Sequence, residues 1–125
     1  MKYSRQRELI REIVEHSDSH PTADMVYQQV KKLEPTISLA TVYRNLHQLA
    51  DHQMLRKITV PGDSDRFDKT LADHEHMICT KCKCVVDIFP SESVLAYFRS
   101  MQKVPQVQGY DLILYGLCEK CMEQE

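Results

Sequence analysis

Two cysteine pairs carry the strongest chemical signal in the sequence. Cys79 and Cys82 are separated by two residues, and Cys118 and Cys121 repeat that spacing. Because this spacing lets two thiolates of one turn bind the same ion, two such turns can complete a tetrahedral zinc site. A thioredoxin-like redox pair would leave the second Cys-x-x-C unexplained, and disulfides are disfavoured in a cytosolic chain. We therefore predict that these four thiolates hold structural Zn²⁺.

A fifth cysteine, Cys84, lies two positions after the first pair. Free cysteine usually behaves as a small apolar side chain. We therefore expect Cys84 to be a partly buried residue beside the zinc site, and we favour this interpretation over a role as fifth ligand or sensor.

Histidines and carboxylates form a second group of potential ligands. In His74-Glu75-His76 the alternation of an extended strand would place both imidazoles on one side, ready to share a metal ion. The His-x-His pattern by itself is equally consistent with a solvated surface pair. Asp68 and Asp87 add carboxylates to the group. Imidazoles and carboxylates without thiolate suit a harder ion such as Fe²⁺ or Mn²⁺, which predicts two chemically different metal sites.

The elements that must position these ligands begin with three amphipathic helices. The first is predicted over Arg5–Glu15, the second from a Thr22 cap to Pro35, and the third from a Ser38 cap, followed by a short helix through Gln53. Their apolar positions recur at helical spacing, which predicts one buried face on each helix. These positions are Leu9, Ile10, Ile13, Val14, Val26, Val30, Leu33, Leu39, Val42, Leu46 and Leu49.

A β-hairpin follows the helices. Residues 55–60 and 65–68 have the composition of strands, and Pro61-Gly62-Asp63 between them is typical of a turn. Three helices followed by a hairpin is the order of a winged helix-turn-helix domain.

The outward face of the third helix is a candidate for reading DNA. A recognition helix presents hydrogen-bonding side chains to base edges, and basic residues nearby contact phosphates. The alternative is an ordinary solvated face. The candidates for base contacts are Thr41, Tyr43, Arg44 and Asn45, and those for phosphate contacts are Arg5, Arg7, Arg56 and Lys57.

The second half of the chain predicts a different domain. Segment 69–73 is polar and lacks periodicity, so we place a hinge there between domains 1–68 and 74–125. Strands are predicted at 77–79, 85–89 and 110–117, with a helix near 92–102. The fold class expected for the whole chain is therefore α+β, with a winged-helix domain followed by a small α/β domain.

Composition is that of a small globular protein. The chain has 125 residues, with 42% hydrophobic and 27% charged residues and only three glycines. No run of apolar residues approaches the roughly 20 that a membrane helix requires, and no signal peptide is evident, so we expect a soluble, cytoplasmic protein. Two domains of about 60 residues would each have a marginal core, which a metal or oligomerisation would supplement. The net charge of −2 gives little indication of a nucleic-acid partner by itself.

Several spaced motifs together resemble the Fur family of metal-dependent repressors. The resemblance covers almost the whole chain and implies a homodimer that binds a palindromic DNA operator, with an N-terminal winged helix and a C-terminal dimerisation domain. The motifs are His20-Pro21-Thr22-Ala23-Asp24, Ala40-Thr41-Val42-Tyr43-Arg44-Asn45-Leu46, Arg66-Phe67-Asp68, Asp73-His74-Glu75-His76 and the two Cys-x-x-C pairs.

The resemblance also implies how the ligands divide between two ions. It makes the four paired cysteines the structural zinc ligands. The regulatory Fe²⁺ or Mn²⁺ ligands that it implies are His20, Asp68, His74, His76 and Asp87. Spacing alone does not place His20 in this set, because it precedes His74 by 54 positions. A ligand from each domain means that the ion fixes the angle between them.

Within the family, the sequence looks most like the peroxide-sensing PerR branch. The position of Asp68 is typically Asp in that branch and often Glu in iron-uptake regulators, and no His follows His76. The resemblance then implies that peroxide oxidises His20 or His74 to 2-oxo-histidine at an iron site, after which the repressor leaves DNA. An iron-, manganese- or zinc-uptake regulator is the alternative within the family.

Two hypotheses from other classes are weaker. A small zinc hydrolase built on His74 and His76 would leave the helices and the cysteine pairs without a purpose. A zinc-stabilised protein-interaction module would leave the outward pair of Tyr43 and Arg44 unexplained. We therefore do not expect an enzyme. The remaining histidines, at positions 16, 47 and 52, are expected to be solvated or capping residues.

Overall fold

The structure is a computed structural model that describes residues 2, 4–71, 74–101, 106–110 and 112–124. The chain separates into two units, Met1–Leu71 and Ala72–Glu125. Positions 72 and 73 of the predicted hinge, position 102 of the predicted helix and position 111 of the last predicted strand lie outside the described residues. Among the residues that are described, no helix has the length and apolar character needed to span a bilayer.

Three helices form the body of the first unit, as predicted. They are α1 (Arg5–Glu15), α2 (Ala23–Leu33) and α3 (Leu39–Asp51). Each begins at a hydroxyl cap: Ser4, Thr22 and Ser38 accept a hydrogen bond from the backbone N–H three residues later. Each such cap stabilises its helix by about 1 kcal/mol.

The end of α3 differs from the prediction, because no short helix continues through Gln53. His52 caps the helix and Gln53 adopts a left-handed φ of 59°. The N–H of Gln53 donates to Ala50 O and that of Met54 to Leu49 O, at 3.0 and 2.9 Å. This pair of bonds is a Schellman motif, which satisfies the last helix carbonyls and turns the chain toward the hairpin.

The core of the first unit lies between the three helices and the hairpin. Two predicted core positions are wrong: Leu33 and Leu39 are 61% and 40% exposed. They are the last residue of α2 and the first residue of α3, where the helical pattern continues beyond the packed region. The buried cluster consists of Ile10, Val14, Ala23, Val26, Val30, Ile37, Val42, Leu46, Leu49, Leu55 and Phe67.

The predicted hairpin is confirmed, with shorter strands. It pairs β1 (Arg56–Ile58) with β2 (Arg66–Asp68) antiparallel, so that Lys57 lies opposite Phe67. Gly62 in the connecting loop has a φ of +73°, a conformation that side-chain-bearing residues rarely adopt. The helices followed by this hairpin form the winged helix expected from the sequence.

The described residues of the second unit form a three-stranded sheet and two short helices. Its elements are β3 (Glu75–Cys79), β4 (Val85–Ile88), α4 (Val94–Arg99), β5 (Ile113–Gly116) and α5 (Glu119–Glu123). The strand order is β4-β3-β5, with β3 antiparallel to β4 and parallel to β5. The α+β class is therefore confirmed. Helix α5 was not predicted, because its five residues are too few to show a period.

Candidate metal centres

The pairing of β3 with β5 brings the two cysteine pairs together. Cys79 ends β3 and lies opposite Gly116 at the end of β5, and the N–H of Thr80 donates to Gly116 O at 2.8 Å. Cys118 then caps α5, which carries Cys121. The Sγ atoms of Cys82 and Cys118 are 3.8 Å apart. The structure thus places thiols from both pairs in one cluster at this end of the sheet.

Backbone hydrogen bonds prepare part of this cluster to bind a cation. The N–H groups of Cys118 and Cys82 donate to Cys79 Sγ at 3.5 and 3.4 Å, and they lower the pKa of that thiol to about 5. The N–H of Cys121 likewise lowers the pKa of Cys118. Burial raises the pKa of Cys121 to about 12. Because zinc binds thiolates, the lowered pKa values of Cys79 and Cys118 favour the form that binds, and Cys121 would release its proton on binding. This donor set fits Zn²⁺.

Cys84 is part of the same cluster. It is half-buried beside the first pair, as expected from the sequence. Burial also raises the pKa of its thiol to about 12. However, the Sγ atoms of Cys79, Cys82, Cys84 and Cys118 all lie within 4.8 Å of one another. The spacing of the Cys-x-x-C pairs gave no indication of this proximity.

The second unit also holds a group of two histidines and one carboxylate. The rings of His74 and His76 are 4.5 Å apart, so strand alternation places them on one side as predicted. Asp87 lies opposite His76 in the register of β3 and β4. Its Oδ1 is 3.2 Å from His74 Nε2 and 3.3 Å from His76 Nε2. Phe89, which the sequence analysis missed, stacks on the His74 ring at 5.2 Å.

The first unit holds a matching pair. His20 Nε2 is 3.5 Å from Asp68 Oδ2, and both side chains are nearly buried. The other carboxylate oxygen, Asp68 Oδ1, accepts a hydrogen bond from the N–H of Thr70 at 2.9 Å. One imidazole and one carboxylate therefore meet in the first unit.

The backbone at His20 is held in an unusual conformation by β2. His20 has a left-handed φ of 52° and precedes a proline. Arg66 Nη1 donates to His20 O at 3.1 Å, and the N–H of Phe67 donates to Pro21 O at 3.0 Å. A non-glycine residue in this region costs about 1–2 kcal/mol, which these bonds offset. Arg66 had no predicted role, although it holds the backbone carbonyl of His20.

The third helix presents some of the predicted DNA-contacting residues. Tyr43 is 48% exposed and Arg44 is also exposed. Thr41 is half-buried, and its hydroxyl lies 2.9 Å from Ser38 Oγ at the helix cap. Asn45 does not face outward as expected: it is buried, and its Nδ2 donates to Thr41 O at 2.9 Å. Asn45 follows Val42 by three residues and therefore shares the buried stripe of α3.

The basic residues predicted to contact phosphate are at or near the surface. Arg5 and Lys57 are exposed and Arg56 is half-buried. Arg5 Nε lies 3.5 Å from Glu34 Oε1, and Arg7 Nη1 donates to Gln48 Oε1 at 3.3 Å.

The three remaining histidines differ in their surroundings. His16 and His52 lie at the C-caps of α1 and α3, as expected. The expectation that His47 is solvated is wrong, because its ring packs 4.4 Å from Tyr43 and 5.7 Å from Phe67.

Several known proteins that are similar to this chain are bacterial regulators. The peroxide-responsive repressor PerR of Staphylococcus epidermidis is 34% identical over 120 residues, which are 95% of this chain and 80% of that protein. The peroxide operon regulator of Bacillus subtilis is 33% identical over 121 residues, or 96% of this chain and 83% of the relative. The crystal structure of the Campylobacter jejuni peroxide stress regulator superposes with a TM-score of 0.73 at 32% identity, over 93% of this chain and 88% of that chain.

The resemblance deduced from the motifs is confirmed at the level of the family. The sequence model of the Ferric uptake regulator family matches residues 1–113. The match includes the helices, the hairpin, both His/Asp groups and the first cysteine pair. The chain belongs to the ferric uptake regulator family.

Proposed function

We propose that this chain is a metal-dependent, DNA-binding transcriptional repressor that acts as a homodimer and senses peroxide through a regulatory Fe²⁺ or Mn²⁺ ion. The observation that carries the proposal is the presence of an imidazole-carboxylate group in each unit. His20 and Asp68 meet in the winged-helix unit, at 3.5 Å. His74 and His76 meet Asp87 in the other unit, at 3.2 and 3.3 Å.

The five donors divide between the units in a way that suits regulation. An ion bound by donors of both units would fix their relative orientation about the segment 69–73, which we propose as the hinge. In a dimer, that orientation sets the spacing of two recognition helices and so their fit to two operator half-sites. Because a homodimer has two-fold symmetry, the expected operator is palindromic. The coupling between metal and DNA is expected to be about 1–3 kcal/mol, as in typical linked sites.

The chemistry of the donors supports different ions at the two metal centres. Three imidazoles and two carboxylates suit Fe²⁺ or Mn²⁺, whereas thiolates suit Zn²⁺. We propose Cys79, Cys82, Cys118 and Cys121 as the structural zinc ligands. The bonds from backbone N–H groups to Cys79 Sγ support this assignment, because they favour the thiolate that zinc requires.

The regulatory site would respond to peroxide through its own histidines. When bound, Fe²⁺ would supply the reducing chemistry that cleaves peroxide beside its ligands. The imidazole of His20 or His74 would then take up one oxygen atom as 2-oxo-histidine and lose its affinity for the ion. Both imidazoles are shielded from solvent, which favours reaction at a neighbouring ring over escape of the oxidant. The chain would be consumed as a sensor and would not turn over as an enzyme.

DNA recognition would use the exposed side of α3. Tyr43 and Arg44 are the exposed candidates for base contacts, and Thr41 is half-buried beside them. Arg5, Arg56 and Lys57 are the proposed phosphate contacts. We do not propose Asn45 as a base contact, because it is buried and its amide donates to Thr41 O.

The test is DNA retention by protein loaded without oxygen with Fe²⁺ or with Mn²⁺. The probe is a duplex selected from a random library by the Mn²⁺-loaded protein. We expect retention in both forms, and release from the Fe²⁺ form alone after micromolar peroxide. Mass spectrometry should find one added oxygen on the peptide of His20 or His74, with His16→Ala as a control that leaves the response unchanged.

Two results would contradict this proposal. DNA binding that is indifferent to removal of Fe²⁺ or Mn²⁺, with zinc retained, would exclude a metal-dependent repressor. An Fe²⁺ form that stays on DNA after peroxide, without histidine oxidation, would instead identify an uptake regulator of the same family.

A further inference from the structure

The thiol cluster of the second unit contains one more cysteine than a tetrahedral ion can bind. Cys84 is half-buried, and its Sγ lies within 4.8 Å of the Sγ atoms of Cys79, Cys82 and Cys118. A structural zinc site takes four protein ligands. The position of the fifth thiol therefore determines whether it can compete with another cysteine to bind the zinc ion.

The register of the sheet places Cys84 directly opposite Cys79. Strands β3 and β4 pair antiparallel with Ile78 opposite Val85, so the next pair outward is Cys79 and Cys84. The N–H of Cys79 donates to Cys84 O at 2.9 Å, which continues the ladder to this pair. Residues that face each other across an antiparallel pair project their side chains to the same side, with Cβ atoms about 4.5–5.5 Å apart. Cys84 is thus aimed at the cluster by backbone pairing.

The turn between these strands depends on one left-handed residue. Lys83 has a φ of 67°, and its N–H donates to Cys79 O at 2.9 Å. This conformation is costly for a residue with a side chain. It reverses the chain after Cys82 and returns Cys84 to its place opposite Cys79. The turn therefore brings the backbone of Cys84 to its place beside the cluster.

The distances between sulfurs match those of a zinc site. With Zn–S bonds of about 2.3 Å, the sulfurs of a tetrahedral site are about 3.8 Å apart. Cys82 Sγ and Cys118 Sγ already have a separation of 3.8 Å. Cys84 Sγ belongs to a set of four, with those two and Cys79, in which every pair of sulfurs lies within 4.8 Å. Closing this set around zinc requires shifts of about 1 Å or less.

We propose that Cys84 and Cys121 are alternative fourth ligands of one zinc ion that Cys79, Cys82 and Cys118 hold in common. The proposal rests on the zinc site of the proposed function. In the exchange, Cys84 loses its thiol proton as its sulfur binds zinc, and Cys121 takes up a proton as its sulfur leaves. The coordination number, the zinc charge and the number of thiolates stay the same. The short helix α5, which carries Cys121, could thereby separate from the ion without loss of zinc.

Serine variants of the full chain test the proposal. Each is purified with Zn²⁺ under reducing conditions and dialysed against EDTA, and the zinc per chain is measured by mass spectrometry of the native protein. We expect Cys84→Ser and Cys121→Ser each to keep about one zinc, and the double variant to lose it. Cys118→Ser should lose zinc with both alternative ligands present.

Cobalt substitution reports the number of thiolates directly. Sulfur-to-Co²⁺ charge-transfer absorption grows with each thiolate bound, so Cys121→Ser should keep the intensity of the parent chain. The double variant, titrated with Co²⁺, should fall to the lower intensity of three thiolates.

The outcomes separate failure of this inference from failure of the zinc site. Loss of zinc or of folding in Cys121→Ser, to the extent seen in Cys118→Ser, would overturn the exchange and leave a site of the two pairs. Zinc retained by the double variant would also overturn it. If Cys118→Ser and Cys79→Ser both keep zinc, the proposed zinc site itself is wrong.

Discussion

Removal of zinc is expected to unfold the second unit while the first keeps its helices. The first unit has a buried cluster of eleven residues. In the second unit, the buried apolar residues among those the structure describes are Ile78 and Val85, together with the thiols of Cys79 and Cys121. Half of this small core therefore consists of proposed metal ligands. Domains of this size generally need a metal, a disulfide or a partner subunit for stability.

The expected magnitude follows from the size of the unit. A unit of about 54 residues is typically stable by roughly 3–8 kcal/mol, at about 0.05–0.15 kcal/mol per residue. Structural Zn²⁺ contributes about 10–16 kcal/mol in small zinc domains at neutral pH. This contribution exceeds the whole stability of such a unit. The free energy of unfolding of the zinc-free second unit should therefore be negative, by several kcal/mol.

Hydrogen exchange can measure this result separately in each unit. After a strong chelator removes zinc, the amides of β3 should exchange as in an unfolded peptide, and those of α1 and α3 should stay protected. Size-exclusion chromatography should show loss of the dimer, and added Zn²⁺ should restore both properties. The reasoning would be refuted by β3 amides that stay protected in protein shown to contain no zinc.

Three further predictions concern DNA binding, the regulatory ion and the turn. Arg44→Ala should weaken binding to the selected duplex by about 1–3 kcal/mol, the value of a good base contact, in a gel-shift titration. Asp87→Ala should reduce Mn²⁺ affinity by at least about tenfold in calorimetry, because its Oδ1 lies between the nitrogens of two proposed ligands. Lys83→Gly should raise the thermal midpoint of the zinc-loaded protein, because glycine adopts the left-handed conformation without strain. The expected gain in the free energy of unfolding is about 0.5–1 kcal/mol.

Each of these has a control in the same chain. Asn45→Ala should leave the base preference unchanged because Asn45 is buried, and equal DNA affinity for Arg44→Ala and the parent would remove Arg44 from the reading set. Asp87→Ala should keep its zinc, and unaltered Mn²⁺ affinity would contradict its role. A lower thermal midpoint for Lys83→Gly would mean that the lysine side chain makes a contact whose stabilisation exceeds the cost of the left-handed backbone conformation.

Much of the first unit was predictable because its signals are local. Hydroxyl caps at Thr22 and Ser38 and a helical apolar period define where helices begin and which side is buried. The pattern fails where tertiary contacts decide, as at Leu33 and Leu39, which continue the period beyond the packed region. It also fails at Asn45, because a polar residue on the buried stripe satisfies its amide within the helix itself.

The metal groups were predictable only in part. Strand alternation was enough to place His74 beside His76. The spacing of the Cys-x-x-C pairs, however, does not predict the cross-strand register that brings Cys84 to the other thiols. His20 came from the resemblance alone, since it lies far from the other ligands in sequence and its backbone carbonyl is held by Arg66, 46 positions later. Contacts between residues distant in sequence produce no periodic pattern, and these contacts determine which potential metal ligands lie close together.

The hairpin of β3 and β4 carries proposed donors for both ions on opposite faces. His76 and Cys79 are three residues apart, so strand alternation sends their side chains to opposite sides, where Asp87 and Cys84 oppose them. A shift of one residue in the register between β3 and β4 would move the side chains of one strand to the other face and separate Asp87 from His76. If the proposed sites are correct, zinc at the tip of the hairpin would set the strand alignment on which iron binding depends, and zinc would have to bind first. We then expect a cell starved of zinc to lose the proposed response to iron and peroxide even while both remain abundant.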